Sequence, residues 1–401
     1  MARACPTPQP LRSVLGTVLF ITLVFLLAFL ARLIFSPLMP SIQEDPAMGV
    51  ASGQAGALFL LGALGMLCGS LLAPLFYSTL NHRRTMILSL FVMAVTLVGA
   101  YFANSLWALR AVFFVLGACF GVHQPSSMAT LTATVRREDW GRALSIQQLS
   151  PPLALVSGPL LTVALLNWFS WNEALLWIAG IIAVVAVLFT FATPGVGSFA
   201  GEPPSPAAIR PVVSTYSFWI MIFLFALGMG AQVGVYTLLP LYLHLERDLT
   251  VASANTLLGL ANIAPLVTVF ISGWVTSRLG EKWTMGIALL LTGIAAILVG
   301  LLSGVGMKIC IVLMAALAVC YFPPAFAALS RIVQPNYRSL AAAFCPPTGF
   351  VLGGGLLPLA LGHMGETWSF SLGIIVIGAI IAVGALAVIP LRLLTHLEEG
   401  C

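Results

Sequence analysis

The amino-acid sequence predicts an all-α membrane protein whose twelve transmembrane helices form two pseudo-symmetric six-helix bundles. Three observations predict it: the scarcity of charge, the length of the uncharged runs, and an internal repeat of about half the chain. Only 17 basic and 12 acidic residues occur among 401, while 60% are hydrophobic. A soluble domain of this size could not clothe its surface with so few charges. The uncharged runs cover 13–31, 46–82, 85–109, 111–135, 143–172, 174–201, 211–245, 249–277, 283–307, 309–330, 339–365 and 367–391. Each is near or above the roughly 20 residues a helix needs to cross a hydrocarbon core about 30 Å thick.

Taken in order, the first span continues past Arg32 to Pro40 with no small-residue cleavage site behind it, so it reads as a retained helix from about Arg12 to Ile42. The second is crowded by Gly62, Gly65 and Gly69, spaced for close helix contact. The third opens on Arg83-Arg84-Thr85-Met86, and the fourth carries His123, Gln124 and Pro125 before ending at Arg136-Arg137. Pro151-Pro152 predicts a kink in the fifth. After the sixth, Thr193 to Ser214 holds five prolines and suits a cytoplasmic linker. The seventh span ends near Pro240, and the ninth opens on Lys282-Trp283-Thr284-Met285. The tenth carries Tyr321-Phe322-Pro323, and the eleventh holds Pro346-Pro347 beside Gly349, Gly353, Gly354 and Gly355.

These landmarks repeat. A shift of 199 or 200 residues brings Arg83-Arg84-Thr85-Met86 onto Lys282-Trp283-Thr284-Met285 and Pro40 onto Pro240. Gln124-Pro125 likewise meets Phe322-Pro323, and Arg142 with Pro151-Pro152 meets Arg338 with Pro346-Pro347. The halves are therefore expected at 1–193 and 215–401, joined by a linker at 194–214.

Orientation follows from Lys and Arg. With the N-terminus inside, thirteen basic residues face the cytoplasm and only Arg110, Arg247 and Lys308 face outward. Both termini are expected in the cytoplasm, and the net charge of +5 is a by-product of that bias rather than a sign of nucleic acid. The seven cysteines show no paired or CxxC spacing, so neither a disulfide framework nor a metal site is indicated. There is no GxxxxGK[ST] loop, HExxH or nucleophile elbow, which argues against an ATP-driven pump or an intramembrane enzyme and predicts no cofactor.

Twelve spans, cytoplasmic ends and a parallel six-plus-six repeat resemble the major facilitator superfamily of secondary transporters. The family's loop G-x-x-x-D-R-x-G-R-[KR] is matched only in its basic tail, Arg83-Arg84, by the stretch Pro74 to Arg84. Gly273 to Lys282 matches better. Ser78 and Ser277 stand where the family carries aspartate. The resemblance implies a cytoplasmic latch at Ser78, Arg83, Arg84, Ser277, Arg278 and Lys282, weakened by the two serines. Ser157-Gly158-Pro159 is similar to a remnant of the glycine-proline motif of drug/proton antiporters, and Arg32 to Pro40 resembles the R-x-x-[FY]-[ST]-P-L-x-P first helix of one bacterial branch.

Chemistry must come from polar groups deep in lipid. Arg32 is the only charged side chain well inside a span, and burying it costs several kcal/mol, about 2.5–3.5 on insertion scales. Its planar guanidinium suits a carboxylate, sulfonate or phosphate in a central cavity; alternatively it snorkels or pairs with carbonyls near Pro37 and Pro40. His123 is the candidate for proton coupling, with a neutral histidine bonded to a carbonyl freed by Pro125 as the alternative. The repeat places Gln232 opposite Arg32 and Tyr321 opposite His123. Gln124, Gln147, Gln148, Tyr236, Asn255 and Asn262 complete a polar lining on helices 1, 4, 5, 7, 8 and 10, although each amide could equally bridge helices. The leading expectation is a monomeric inner-membrane transporter of a small anion, driven by protons or exchange. An exporter of amphipathic drugs or lysolipids is the alternative, and a transporter-like receptor is a third class.

Overall fold

The computed structural model describes residues 8–200, 213–333 and 338–393, and among these every regular element is helical. Part of the expected linker, 201–212, and both chain ends lie outside the described residues. Eleven helical stretches are long and apolar enough to cross a membrane. One of them, Val251–Leu301, is 51 residues long and breaks at Gly280, whose φ of 79° and ψ of 163° no helix accommodates. The chain is thus a multi-pass membrane protein. Its outer surface is apolar, with Val95, Val267, Phe191 and Val383 exposed. Trp107, Trp168, Trp219, Trp283 and Trp368 are exposed at or beside helix ends, where amphipathic rings favour the lipid headgroups.

The chain forms two compact units, Met1–Gly49 with Leu61–Pro204, and Val50–Leu60 with Ser205–Cys401. The first contains α1 (Leu15–Leu33), α2 (Phe35–Glu44), most of α3 (Ser52–Leu80), α4 (His82–Tyr101), α5 (Leu106–Thr134), α6 (Trp140–Gln147), α7 (Ser150–Leu166) and α8 (Trp171–Ala192). Pro40 lies inside α2, which runs four residues beyond it to Glu44; the interruption falls instead at Ile34, three residues before Pro37, whose missing N–H cannot complete the ladder. The expected kink at Pro151-Pro152 is a break between α6 and α7, immediately before the pair.

Helices α3 and α5 interlock through glycine. A Cβ on Gly69 would stand 2.0 Å from the Ala118 carbonyl oxygen, one on Gly65 2.1 Å from that of Phe114, one on Gly117 2.0 Å from that of Gly62, and one on Gly121 2.2 Å from that of Met66. Backbone therefore lies on backbone, with no room for any side chain.

The second unit contains α9 (Tyr216–Met229), α10 (Leu239–Leu245), α11 (Val251–Ala261), α12 (Ala264–Leu301), α13 (Gly304–Val319), α14 (Phe322–Leu329), α15 (Arg338–Phe350), α16 (Leu357–Thr367) and α17 (Phe370–Gly384). The start of α3 belongs here too, where the Gly53 N–H donates to the Glu366 carboxylate at 3.0 Å. Pro346 and Pro347 lie inside α15 without breaking it; the disturbance comes just after, as a π-helical segment at Val351–Leu356. A second π-helical segment, Gly230–Gly234, follows α9, and a Cβ on Gly234 would stand 2.3 Å from the Gly353 carbonyl oxygen, so the two irregular turns pack together.

The two units carry matching clamps. Arg83 donates to the carbonyls of Thr190 and Thr193 at the C-terminal end of α8. At the repeat position Lys282 donates to Ile389 and Leu391 at 2.6 and 3.1 Å, beyond α17. On the other side of each unit an acid holds the start of the same helix. Asp45 accepts from the Trp171 indole at 2.9 Å, and Glu246 accepts from the Phe370 N–H, the Ser371 N–H at 2.9 Å and the Ser371 hydroxyl at 2.8 Å.

Candidate functional site

The polar groups expected to act are spread through both units, and only three of them, in the second unit, share a pocket. In the first unit Arg32 leaves the last turn of α1 and is buried. Its guanidinium lies over the rings of Phe120 (4.6 Å) and Phe29 (5.0 Å), and Nη1 meets the Met66 sulfur at 3.2 Å. Aromatic faces stabilise a desolvated cation by about 2 kcal/mol, and a thioether is a weak acceptor.

His123 is fully enclosed among α1, α4 and α5. Its Nδ1 lies 2.8 Å from the Ser89 hydroxyl, whose single proton goes to the Met86 carbonyl at 2.8 Å. Nε2 meets no partner among the described residues. Arg32 and His123 are not neighbours. Phe120 stacks on Phe25 (5.8 Å) and Phe25 on His123 (6.4 Å), so two rings stand between the charge and the imidazole. Arg32 lies seven residues beyond Phe25, about 10 Å along the helix axis.

The remaining candidates of this unit divide. Gln147 is buried and donates to the Ser127 hydroxyl at 2.7 Å, bridging α6 to α5. Gln124 is half-buried, and Gln148 is exposed in the break before α7.

In the second unit Gln232, Tyr236 and Asn262 do converge. They line one pocket with Ala231, Leu239, Leu258, Pro265, Ile311, Met314 and Ala315, drawn from α10 to α13 and the π-helical turn after α9. Gln232 sits inside that turn, confirmed by the Val235 N–H reaching the Gly230 carbonyl at 2.9 Å. Asn262 closes α11, donating through Nδ2 to the Leu258 carbonyl at 2.8 Å. Asn255 is fully buried on α11 and is not part of the lining. Tyr321 also stands apart: its ring packs over Gly228 between Phe225 (5.8 Å) and Phe322 (5.3 Å), and its hydroxyl is buried without a partner among the described residues.

The expected gating residues lie at helix junctions. Ser78 and Ser277 each donate back along their own helix, to Leu75 (3.1 Å) and Trp274 (2.7 Å). Arg278 lies over the Trp274 ring at 5.5 Å, Arg84 is exposed, and Arg83 and Lys282 are the clamps described above. The sequence had not pointed to Phe25, Phe29, Phe120, Met66 or Ser89; apolar residues in apolar spans carry no signal of which face they turn. Nor had it pointed to Glu281, whose carboxylate receives two bonds from Arg331, at 3.0 and 3.1 Å.

Comparison with known proteins agrees with this architecture. NiaP of Bacillus subtilis (strain 168), named as a niacin/nicotinamide transporter, is 21% identical over 253 residues, which is 60% of this chain and 61% of that relative's length. Among solved structures, a bacterial homologue of the human lysosomal transporter Spinster, inward-facing and occupied, superposes with a TM-score of 0.80 at 15% identity, covering 95% of this chain and 97% of the other. A peptide transporter of the POT type bound to sulfate gives 0.78 at 14% identity, with 96% of each chain covered. At such identities the structures establish the fold alone. The family model of the Major Facilitator Superfamily matches residues 21–265 and 243–399. With nearly the whole chain matched, this protein belongs to the Major Facilitator Superfamily, a family of transporters rather than enzymes.

Proposed function

We propose that the chain is a secondary active transporter that carries a small organic acid across the cytoplasmic membrane by alternating access of two six-helix halves. The break at Gly280 within the 51-residue stretch supports a reading of twelve spans, and the Lys and Arg bias supports a reading with both ends in the cytoplasm. The observation that carries the acid reading is Arg32, a guanidinium buried at mid-span against two ring faces and a thioether. A carboxylate that reached this guanidinium would find a planar fork able to grip it at two points. The name of the Bacillus relative, which joins an acid to its amide, supports a small ring-bearing solute.

Coupling falls to His123, enclosed with one nitrogen that meets no partner among the described residues. Phe120 and Phe25 shield it from Arg32, so any link between anion and proton runs through movement of these rings rather than direct repulsion. The test is ligand binding to purified protein at several pH values, with nicotinate, benzoate, a sulfonate, a cationic dye and a lysolipid. Arg32→Lys keeps the charge and loses the fork; it should weaken carboxylates by about 1.5–3 kcal/mol. His123→Gln should abolish accumulation driven by a proton gradient and spare exchange. Stabilisation by the dye or lysolipid alone would instead favour an exporter of amphipathic compounds.

A further inference from the structure

Where the first unit places a fixed cation, the second unit has a small hollow. A shift of 200 residues carries Arg32 onto Gln232, and one of 199 carries Met66 onto Pro265. Arg32 meets the Met66 sulfur at 3.2 Å, and their counterparts Gln232 and Pro265 line one pocket. The matching side chains therefore come together in both units, but in the second an amide stands in place of the charge. The free space beside it is about 10 Å³, room for a single water-sized body.

The groups around this hollow share one chemistry. Its polar members, Gln232, Tyr236 and Asn262, are two amides and a phenol, and no charged residue, histidine or cysteine joins them. The side-chain amide of Gln232 makes no hydrogen bond among the described residues. Asn262 gives Nδ2 to the Leu258 carbonyl at 2.8 Å; that partner can only accept, so the amide oxygen of Asn262 is the end turned away from it. The backbone is irregular on both sides. Gln232 sits in the π-helical turn Gly230–Gly234, and α11 stops at Ala261, whose carbonyl would ordinarily take the N–H four residues on, where Pro265 has none. Interrupted helices near the middle of the membrane are where transporters hold coupling ions, on freed carbonyls and helix ends. Hard, neutral oxygens suit an alkali ion, whereas transition metals favour imidazole or thiolate, and magnesium and calcium favour carboxylates. A bare sodium ion is smaller than a water molecule, so a water-sized hollow admits it.

We propose that this hollow is a sodium site, ligated through the amide oxygens of Gln232 and Asn262 with Tyr236 beside them, and that the ion takes the repeat position which Arg32 fills in the first unit. The first unit's cation is permanent; the second unit's comes and goes with the sodium gradient. The inference deepens the transporter reading above by naming a second coupling ion, and it rests on that reading for the ion's role alone, since binding is independent of what is carried.

The experiment follows thermal unfolding of the full chain in detergent as sodium chloride replaces choline chloride at constant ionic strength, with potassium chloride in parallel and binding of radioactive sodium measured directly. The parent should bind sodium saturably and rise in Tm, and potassium, the larger ion, should bind about tenfold more weakly or worse. Gln232→Leu removes one oxygen and should weaken sodium by about tenfold or more. Gln232→Glu keeps the shape and adds a charge; it should tighten sodium by about tenfold, so the result does not hang on one variant's folding. A parent whose stability follows ionic strength alone holds only a water in the hollow, which overturns the proposal. A Gln232→Leu that binds sodium like the parent, or a Gln232→Glu that binds it no better, overturns it too. Sodium binding as expected in a chain that binds no carboxylate supports the site and defeats only the acid reading.

Discussion

Replacing Gly117 by alanine tests the glycine seam between α3 and α5. The added Cβ would stand 2.0 Å from the Gly62 carbonyl oxygen, 2.9 Å from its carbon and 3.0 Å from the Met66 nitrogen. All three are backbone atoms, so no rotamer change can relieve the clash. Helices α3 and α5 must separate by about 1 Å, and a gap of that size forfeits between a quarter and a half of each dispersion contact along it. Overpacking of this kind costs about 1–3 kcal/mol, and the rigid backbone places Gly117→Ala at the upper end. Alanine returns up to about 1 kcal/mol through helix propensity, leaving a net loss of roughly 2 kcal/mol. Gly62→Ala, on the facing helix, is the control. Its Cβ would meet the Phe113 carbonyl oxygen at 3.5 Å, an ordinary contact, and the change should be neutral or mildly stabilising. Denaturation of both variants in one detergent, followed by tryptophan fluorescence, separates them. Equal stability of the two, or a loss confined to Gly62→Ala, would refute the close-packed seam.

The paired clamps should behave alike: Arg83→Met and Lys282→Met each strip bonds from the C-terminal end of a helix and should cost about 1–2 kcal/mol, measured in the same denaturation assay. Glu246→Gln removes the charge that holds the first N–H groups of α17 and should cost about 1 kcal/mol in the same denaturation assay. Tyr321→Phe deletes a buried hydroxyl with no partner among the described residues and should leave stability unchanged or raised; a fall in transport without a fall in stability would mean that the hydroxyl finds its partner in another conformation.

Much of this molecule was legible before folding, because in lipid the rules are few. A run of some 20 uncharged residues must be a helix, since no other open structure satisfies its backbone. The repeat was legible because Arg83 and Lys282 sit at a fixed shift, and both turned out to hold the same kind of helix end. Arg32 was conspicuous because a charge at that depth is costly. What the sequence could not show is facing. Nearly every residue around Arg32 and His123 is apolar, and an apolar side chain in an apolar span carries no mark of whether it meets lipid, a neighbouring helix or a charge. Hence the rings of Phe120 and Phe25, which separate two residues expected to lie together, were invisible. The first span, expected to end near Ile42, ends at Glu44, whereas its interruption at Ile34, ahead of Pro37, was not legible, because a proline disturbs the bonds of the preceding turn. The sequence by itself determined that the chain spans the membrane and repeats, because hydrophobic length and charge act locally along it. Only the tertiary structure decided that Gln232, Tyr236 and Asn262 share a pocket while Tyr321 does not. That outcome depends on which face each helix turns toward its neighbours, and facing is settled only once the helices are packed.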